Sequence, residues 1–278
     1  MTFRLRKSIY ISGFILSCII FGILNAFVYL LLFKNHDISA LSSLMSHPWW
    51  FRYSEAAQKV TQIYRYTALL YLFHISIILA PVYLYRQYKK TDSAEIYFLI
   101  MFFFFMSFES LRLPSAYIYT MELPFTIGIT VTRIIFFGQT AALLSLFFSS
   151  LYAAKFKYQK YGIILSVILL SSFILAASIP VDPTVFLNNF TYKLGIEHSL
   201  WFFSYMLFFV ILSNLIFAFI HMRNKRFLYA SGSYAMILGG FFIFPFAVGI
   251  YSIVSSIILM LTGTYFSTRQ IEKIYIPF

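Results

Sequence analysis

Three ionisable side chains lie deep inside apolar stretches of the sequence: Glu109, Arg112 and Arg133. Glu109 and Arg112 are three residues apart, so a helix would place them on one face as neighbours. Arg133 follows a short corner at residues 119–124, and the helical rise puts it within about 5 Å of the depth of Glu109. Two arginines beside one carboxylate would form a site for an anionic group, with Glu109 as counter-ion or proton carrier. The same charges could instead pin two helices together.

Further polar residues extend this group. Glu122, at the corner, would supply a second negative charge, and Gln139, two turns beyond Arg133, would extend a polar path. Thr126 and Thr130 stand seven and three residues before Arg133, a spacing that places all three side chains on one helix face. That face is expected to point inward.

His74 also lies inside an apolar stretch, where a single histidine is more often a hydrogen-bonded packing residue than a ligand. The sequence contains no Cys-x-x-Cys or His-x-x-x-His pair, so no metal site is expected. It also lacks Gly-x-Ser-x-Gly, a phosphate-binding loop and a dinucleotide fingerprint. We therefore assign no catalytic residue and expect no cofactor. Enzymatic activity stays open only as a weaker alternative, a membrane enzyme acting on lipid.

These residues belong to a strongly apolar chain. Hydrophobic residues make up 61% and charged residues 11% of the 278 positions, whereas a soluble domain is about 25% charged. A bilayer core about 30 Å thick needs roughly 20 apolar residues per helix. The sequence thus predicts an all-α integral membrane protein, a polytopic bundle of eight helices in a single transmembrane domain, with no soluble domain. The predicted spans are 9–33, 64–85, 95–119, 124–153, 162–179, 199–220, 228–244 and 247–266.

Residues 227–268 decide between eight spans and seven. One straight helix over this stretch would be about 60 Å long, twice the bilayer core. Two spans with a turn at Pro245 fit better, and the alternative is one span with an interfacial lead-in. The segment 124–129 is similar to 245–250, both beginning Pro-Phe and carrying Gly-Ile at their ends. This echo would fit two four-helix halves in one orientation.

The basic residues predict the orientation. With the amino terminus in the cytoplasm, the inner segments hold 12 Lys and Arg residues in four clusters of three, and the outer loops hold 5. This bias follows the positive-inside rule. An eighth span would also return Arg269 and Lys273 to the cytoplasm, so both termini are expected there. The clusters are too short to form a nucleic-acid patch, although the net charge is +12.

The loops between predicted spans are short, so we expect the chain to act within the membrane. One hypothesis is a transporter, permease subunit or membrane-embedded ligand sensor with an outward-facing polar site between spans 3 and 4. Its partner would be a small anionic or zwitterionic solute. The alternative is a non-catalytic subunit or assembly factor of a larger membrane complex, binding a membrane protein through aromatic surfaces such as residues 47–51.

Overall fold

The structure is a computed structural model that describes residues 3–33, 56–120, 123–154, 161–187, 190–195, 197–244 and 250–275. The elements, in chain order, are α1 (Phe3–Phe33), α2 (Ala56–Thr91), α3 (Ala94–Met106), a 3₁₀ segment (Ser107–Leu111), α4 (Arg112–Thr120), α5 (Phe125–Ala153), α6 (Tyr161–Ser178), β1 (Val181–Phe186), β2 (Tyr192–Leu194), α7 (Glu197–Met222), α8 (Lys225–Ile243) and α9 (Ile250–Tyr275).

Helices dominate the described part of the chain, as predicted. In it, seven helical segments are long and apolar enough to cross a membrane, with Ala94–Tyr119 counted as one. Helix α8 is not among the seven. Residues 180–198, expected to form a loop, contain the short strands β1 and β2.

The segment Ala94–Thr120, made of α3, the 3₁₀ segment and α4, forms the centre of the bundle. Helix α3 carries apolar residues on every side, including four consecutive phenylalanines from Phe102 to Phe105, and all its side chains are buried. A helix without a polar face is stable only when neighbours surround it. Helices α1, α2, α5 and α9 supply this cover.

Helices α8 and α9 form a close antiparallel pair. A Cβ atom on Gly240 of α8 would lie 2.7 Å from the Ser256 carbonyl oxygen of α9, and one on Gly263 would lie 2.7 Å from the Ser233 carbonyl oxygen. The Ser256 hydroxyl donates a hydrogen bond to the Gly240 carbonyl at 2.7 Å. The two helices thus approach each other to backbone contact, because each helix has a glycine that faces the other. Residues 245–249, which connect them, lie outside the described residues.

Strands β1 and β2, which connect α6 to α7 in the chain, pair antiparallel. Val181 lies opposite Leu194, and the register is irregular between Asp182 and Phe186. The hairpin is fixed to the first half of α5. A Cβ atom on Gly128 would collide with the Tyr192 ring, so the glycine makes room for this tyrosine. The backbone N–H of Tyr192 donates to the Thr132 hydroxyl at 3.2 Å.

Candidate ligand-binding cavity

The first candidate residues, Glu109 and Arg112, lie where the 3₁₀ segment interrupts the central segment Ala94–Thr120. Arg112 Nε donates to Glu109 Oε2 at 2.6 Å, and both side chains are almost wholly buried, with 2% and 1% of their surface exposed. The predicted i,i+3 pair therefore forms. The Arg112 guanidinium also lies over the ring of Phe244, 5.9 Å from its centroid, a favourable arrangement for a cation.

The 3₁₀ segment that carries Glu109 has a local cause. Pro114 cannot donate a backbone hydrogen bond, and its ring clashes with the carbonyl four residues earlier if the helix continues regularly. It occupies the first turn of α4, where the missing N–H is tolerated best. The tighter turn from Ser107 to Leu111 precedes it. Pro114 is the sequence signal for this break.

One carboxylate oxygen of Glu109 has no hydrogen-bond partner among the described residues. Its Oε2 atom accepts from Arg112, whereas Oε1 is buried and has no hydrogen-bond partner among the described residues. An unpaired buried carboxylate oxygen is costly unless it binds a proton or another donor. The described residues thus leave Oε1 as a buried acceptor without a donor.

A cavity of about 90 Å³ lies beside this ion pair. Its walls come from α4, α5, the hairpin, α7 and α8. The lining residues are Arg112, Thr132, Ile135, Phe136, Gln139, Thr140, Leu143, Leu187, Thr191, Tyr192, Leu194, Leu200, Trp201, Ser204, Phe241 and Phe242. Since a buried water needs about 10–15 Å³ measured in this way, the cavity has room for about six to nine waters.

The cavity has two different ends. It follows α5 from Thr132 to Leu143, a rise of about 16 Å. Gly138 of α5 packs against Phe108 of the antiparallel central segment, which places Arg112 near the level of Thr132, beneath the hairpin. At the other end the Phe241 ring lies 6.3 Å from that of Phe102, deep in the core. The charged end beneath the hairpin thus continues along a largely apolar wall that also carries Gln139 and Thr140.

Arg133 does not join the Glu109–Arg112 pair. Its Nη2 atom donates to the Ile179 carbonyl at 3.4 Å, and it makes no salt bridge with a described residue. Its Nε atom is buried without a hydrogen-bond partner among those residues. Among the described residues, the expected ion network of Glu109, Arg112 and Arg133 is therefore reduced to the Glu109–Arg112 pair. Arg133 is directed toward the end of α6, next to the hairpin, and does not line the cavity.

The prediction of an inward polar face on α5 was wrong for its two threonines. Thr126 and Thr130 are exposed, and the Thr130 hydroxyl donates back to the Thr126 carbonyl at 2.8 Å. A threonine that satisfies its hydroxyl within its own helix needs no polar neighbour. Thr132, which is buried and lines the cavity, is the inward threonine instead.

His74 is fully buried and joins three elements. Its Nε2 atom lies 3.1 Å from the Ser17 carbonyl oxygen of α1, and its Nδ1 atom bonds with the Ser110 hydroxyl of the 3₁₀ segment. Because a carbonyl only accepts, Nε2 carries the proton in this arrangement and Nδ1 accepts from Ser110. The Phe21 ring stacks on the imidazole at 5.2 Å. His74 is thus a packing residue adjoining Glu109 and is not part of the cavity wall.

The remaining predicted residues divide between the cavity and the undescribed chain. Gln139 lines the cavity wall, whereas Glu122 and the aromatic residues 47–51 lie outside the described residues. Trp201 and Ser204 were not anticipated, because a loop-to-helix boundary gives no signal of which helix face meets a cavity. Glu95, treated as the edge of a span, is buried at the start of α3. No group of three metal-ligating side chains occurs in the described ranges.

The hairpin that covers the cavity holds its own charged group. The Asp182 carboxylate accepts hydrogen bonds from the Thr184 hydroxyl at 2.6 Å and from its backbone N–H at 2.9 Å. These two bonds lower the pKa of Asp182, and Lys193 on the paired strand adds to the effect. The Asp182 carboxylate therefore stays ionised. Its two hydrogen bonds to Thr184 stabilise the backbone turn at the start of β1.

The described residues form a helical bundle with seven helices suited to a membrane and a largely apolar cavity beside a buried ion pair. No protein-family profile matches the sequence. An uncharacterised protein of Treponema pallidum (strain Nichols) is similar to this chain, with 30% identity over 102 residues. The similarity covers 37% of this chain and 30% of that protein, so the chain matches less than a third of its relative.

Proposed function

We propose that the chain is a multi-pass membrane protein with eight spans and with both termini in the cytoplasm. Seven long apolar helices among the described residues support a multi-pass membrane protein. Helices α6 and α7 add a second argument, because each exposes large apolar side chains along its length, among them Leu170, Phe173, Phe209 and Phe217. Such continuous apolar faces need lipid or protein to cover them.

Helix α8 is the proposed additional span. Its 19 residues would extend about 28 Å, close to the thickness of a bilayer core. It runs antiparallel to α9 in close contact, so the axes of the two helices are nearly parallel lines. If α9 crosses the membrane, α8 is oriented to cross it as well. Its first turn carries Lys225 and Arg226, which suits a cytoplasmic start. Both charges lower its mean hydropathy without shortening its apolar part.

Within this bundle we propose a ligand-binding protein of the transporter, permease-subunit or ligand-sensor type. The observation that carries the proposal is a buried arginine, Arg112, in the wall of a cavity that is otherwise largely apolar. Intramembrane charges are usually placed for function, and an apolar pocket with a few polar groups is typical of small-molecule sites. The hairpin end of the cavity would face outward in the proposed topology.

Tryptophan fluorescence offers a direct test. The chain has three tryptophans, and Trp201 lines the cavity. In a Trp49→Phe, Trp50→Phe protein in lipid nanodiscs, solutes from a panel of small organic anions, cations and neutral molecules should change Trp201 emission saturably. Ser204→Phe, which fills the cavity, should abolish the change. Ser166→Phe, on an exposed face of α6, should preserve it.

Failure of every solute in the panel to produce a change sensitive to Ser204→Phe would contradict the proposal. The alternative, a subunit or assembly factor, rests on residues 47–51, which lie outside the described residues. The exposed side chains of α6 and α7 suit lipid as well as a protein partner, so they favour neither function. A monodisperse, partner-free protein that still binds a solute would count against the alternative.

A further inference from the structure

We propose that the cavity binds a small organic monocarboxylate with an apolar body, and that each carboxylate bound brings one proton onto Glu109. This inference rests on the proposed function, because it requires the cavity to be a ligand site. It goes further by naming the chemical class of the ligand and the ion that accompanies it.

Arg112 selects the charge of the ligand. A guanidinium has a planar fork of N–H donors that matches the two oxygens of a carboxylate. Arg112 is 1% exposed and still contributes to the cavity wall, so a carboxylate beside it would be shielded from water. Thr132, at the same level, offers a hydroxyl within the same end of the cavity.

The rest of the cavity wall selects the body of the ligand. Phe136, Leu143, Phe241 and Phe242 line the cavity beyond Arg112 with aromatic and aliphatic surface. The room for about six to nine waters corresponds to a ligand with a similar number of non-hydrogen atoms. A single aromatic ring or a short aliphatic chain that carries one carboxylate meets both requirements. Benzoate is therefore a suitable probe.

Charge balance brings in the proton. The ionised pair of Glu109 and Arg112 is neutral as a whole, and both members are buried. A carboxylate that binds Arg112 would leave one negative charge uncompensated in a medium that solvates charge poorly. A proton on Glu109 restores neutrality. Its Oε1 atom, without a hydrogen-bond partner among the described residues, is where the proton would go.

Other titratable groups near Glu109 are committed elsewhere. On α2, His74 uses both ring nitrogens in bonds to Ser17 and Ser110. On α5, Arg133 is directed toward the Ile179 carbonyl. Glu95, on the central segment, is about 21 Å away along the helix axis, and Lys7 lies toward the far end of α1. Among the described residues, Glu109 is thus the group placed to balance a charge at Arg112.

The test uses the single-tryptophan protein in nanodiscs, with benzoate, neutral benzamide and cationic benzylamine as probes. Between about pH 5.5 and 7.5 benzoate is ionised, so uptake of one proton predicts that its affinity falls about tenfold per pH unit. Calorimetry in buffers with different ionisation enthalpies should report one proton taken up per benzoate. This measurement needs no variant.

Two variants locate the proton and the carboxylate. Glu109→Gln mimics the protonated side chain, so it should bind benzoate with little dependence on pH. Arg112→Gln should weaken benzoate binding at least tenfold more than benzamide binding. If Glu109→Gln retained the full pH dependence, the proton would have to be carried elsewhere, and the assignment to Glu109 would be overturned.

The outcomes separate this inference from the proposed function. Zero protons taken up, or benzamide or benzylamine binding as tightly as benzoate, would overturn the inference and leave the cavity as a ligand site. Absence of binding by all three probes, while another solute of the panel gives a change sensitive to Ser204→Phe, would do the same. Absence of any such solute would overturn both.

Discussion

Glu109 and Arg112 show how a local spacing can determine a contact inside a bundle. Their separation of three residues is enough to make them neighbours on a helical turn, and the 2.6 Å distance between Nε and Oε2 agrees with this. Arg133 had no such local constraint, since it lies on another helix. Its side chain meets the Ile179 carbonyl instead. Sequence spacing therefore identified the pair but not the third member.

Removal of one partner of this pair should cost more than removal of both. Glu109→Leu leaves the Arg112 guanidinium buried without its carboxylate, and we expect a loss of about 3–5 kcal/mol in the free energy of unfolding. The double variant Glu109→Leu, Arg112→Met buries no charge and should lose less. Unfolding by increasing mole fractions of denaturing detergent would measure both.

An ion pair with the same i,i+3 spacing provides the control. Arg269 and Glu272 are 3.9 Å apart with the arginine largely exposed, so Glu272→Leu should change stability little. A double variant less stable than Glu109→Leu would show that the ion pair stabilises the bundle beyond the cost of burying its charges.

His74 should prove structural. His74→Phe keeps a ring that can stack on Phe21 but leaves the Ser110 hydroxyl and the Ser17 carbonyl without their bonds to the imidazole, and the expected loss is about 1–3 kcal/mol. Ser76→Ala, on the same helix, removes an exposed hydroxyl bonded to its own helix and should be nearly neutral. The midpoint of thermal unfolding compares the two variants. Equal midpoints would contradict the bridging role of His74.

At the scale of elements, the break in the central segment positions the site. Helix α5 approaches this break closely because Gly138 has no side chain: a Cβ atom there would lie 2.6 Å from Phe108 Cβ and 2.8 Å from the Phe105 carbonyl oxygen. This close contact fixes the depth at which α5 faces the ion pair. The cavity follows α5 past this contact, from Thr132 to Leu143.

Gly138→Ala should therefore separate α5 from the central segment. Overpacking at such a contact costs about 1–3 kcal/mol, and a shift of α5 should also weaken ligand binding in the cavity. Gly239→Ala is the matched control, because a Cβ atom on Gly239 meets nothing within 4 Å. This control should gain about 0.5–1 kcal/mol from its better helix propensity. The free energy of unfolding distinguishes the two, and a neutral Gly138→Ala would contradict the close approach.

For the whole molecule, the proposed direction of each helix across the membrane rests on the charges at its ends. Helix α8 begins with two basic residues and α9 ends with Arg269 and Lys273. An antiparallel pair with basic residues at the same end satisfies the positive-inside rule with both helices crossing the membrane. Seven spans would leave the end of α9 on the opposite side from the start of α8.

Cysteine labelling can determine this arrangement. The chain contains one cysteine, Cys18, which Cys18→Ser removes. Single cysteines at the exposed positions Thr184, Arg223 and Lys273 then report on three places in the fold. A membrane-impermeant maleimide should label position 184 in intact cells, and positions 223 and 273 only after permeabilisation. Labelling at position 273 in intact cells would favour seven spans.

The helical class, the apolar segments and the pairing of Glu109 with Arg112 follow from the sequence alone. Each of these depends on local composition or on spacing within one helix, which the chain specifies without reference to its neighbours. The helix break near Pro114 is encoded locally in the same way. The inward face of α5 is not encoded locally, because threonines that bond to their own helix look the same in sequence as threonines that face a cavity.

The tertiary structure decided which side chains share the cavity. Trp201, Phe242 and Arg112 come from three helices far apart in the chain, and only the packing of α5, α7 and α8 around the central segment brings them together. That packing depends on glycine contacts at Gly138 and Gly128 and on a hairpin whose strands have no strong alternating pattern. Such contacts are set by mutual fit between surfaces, and no periodicity within a single segment encodes them.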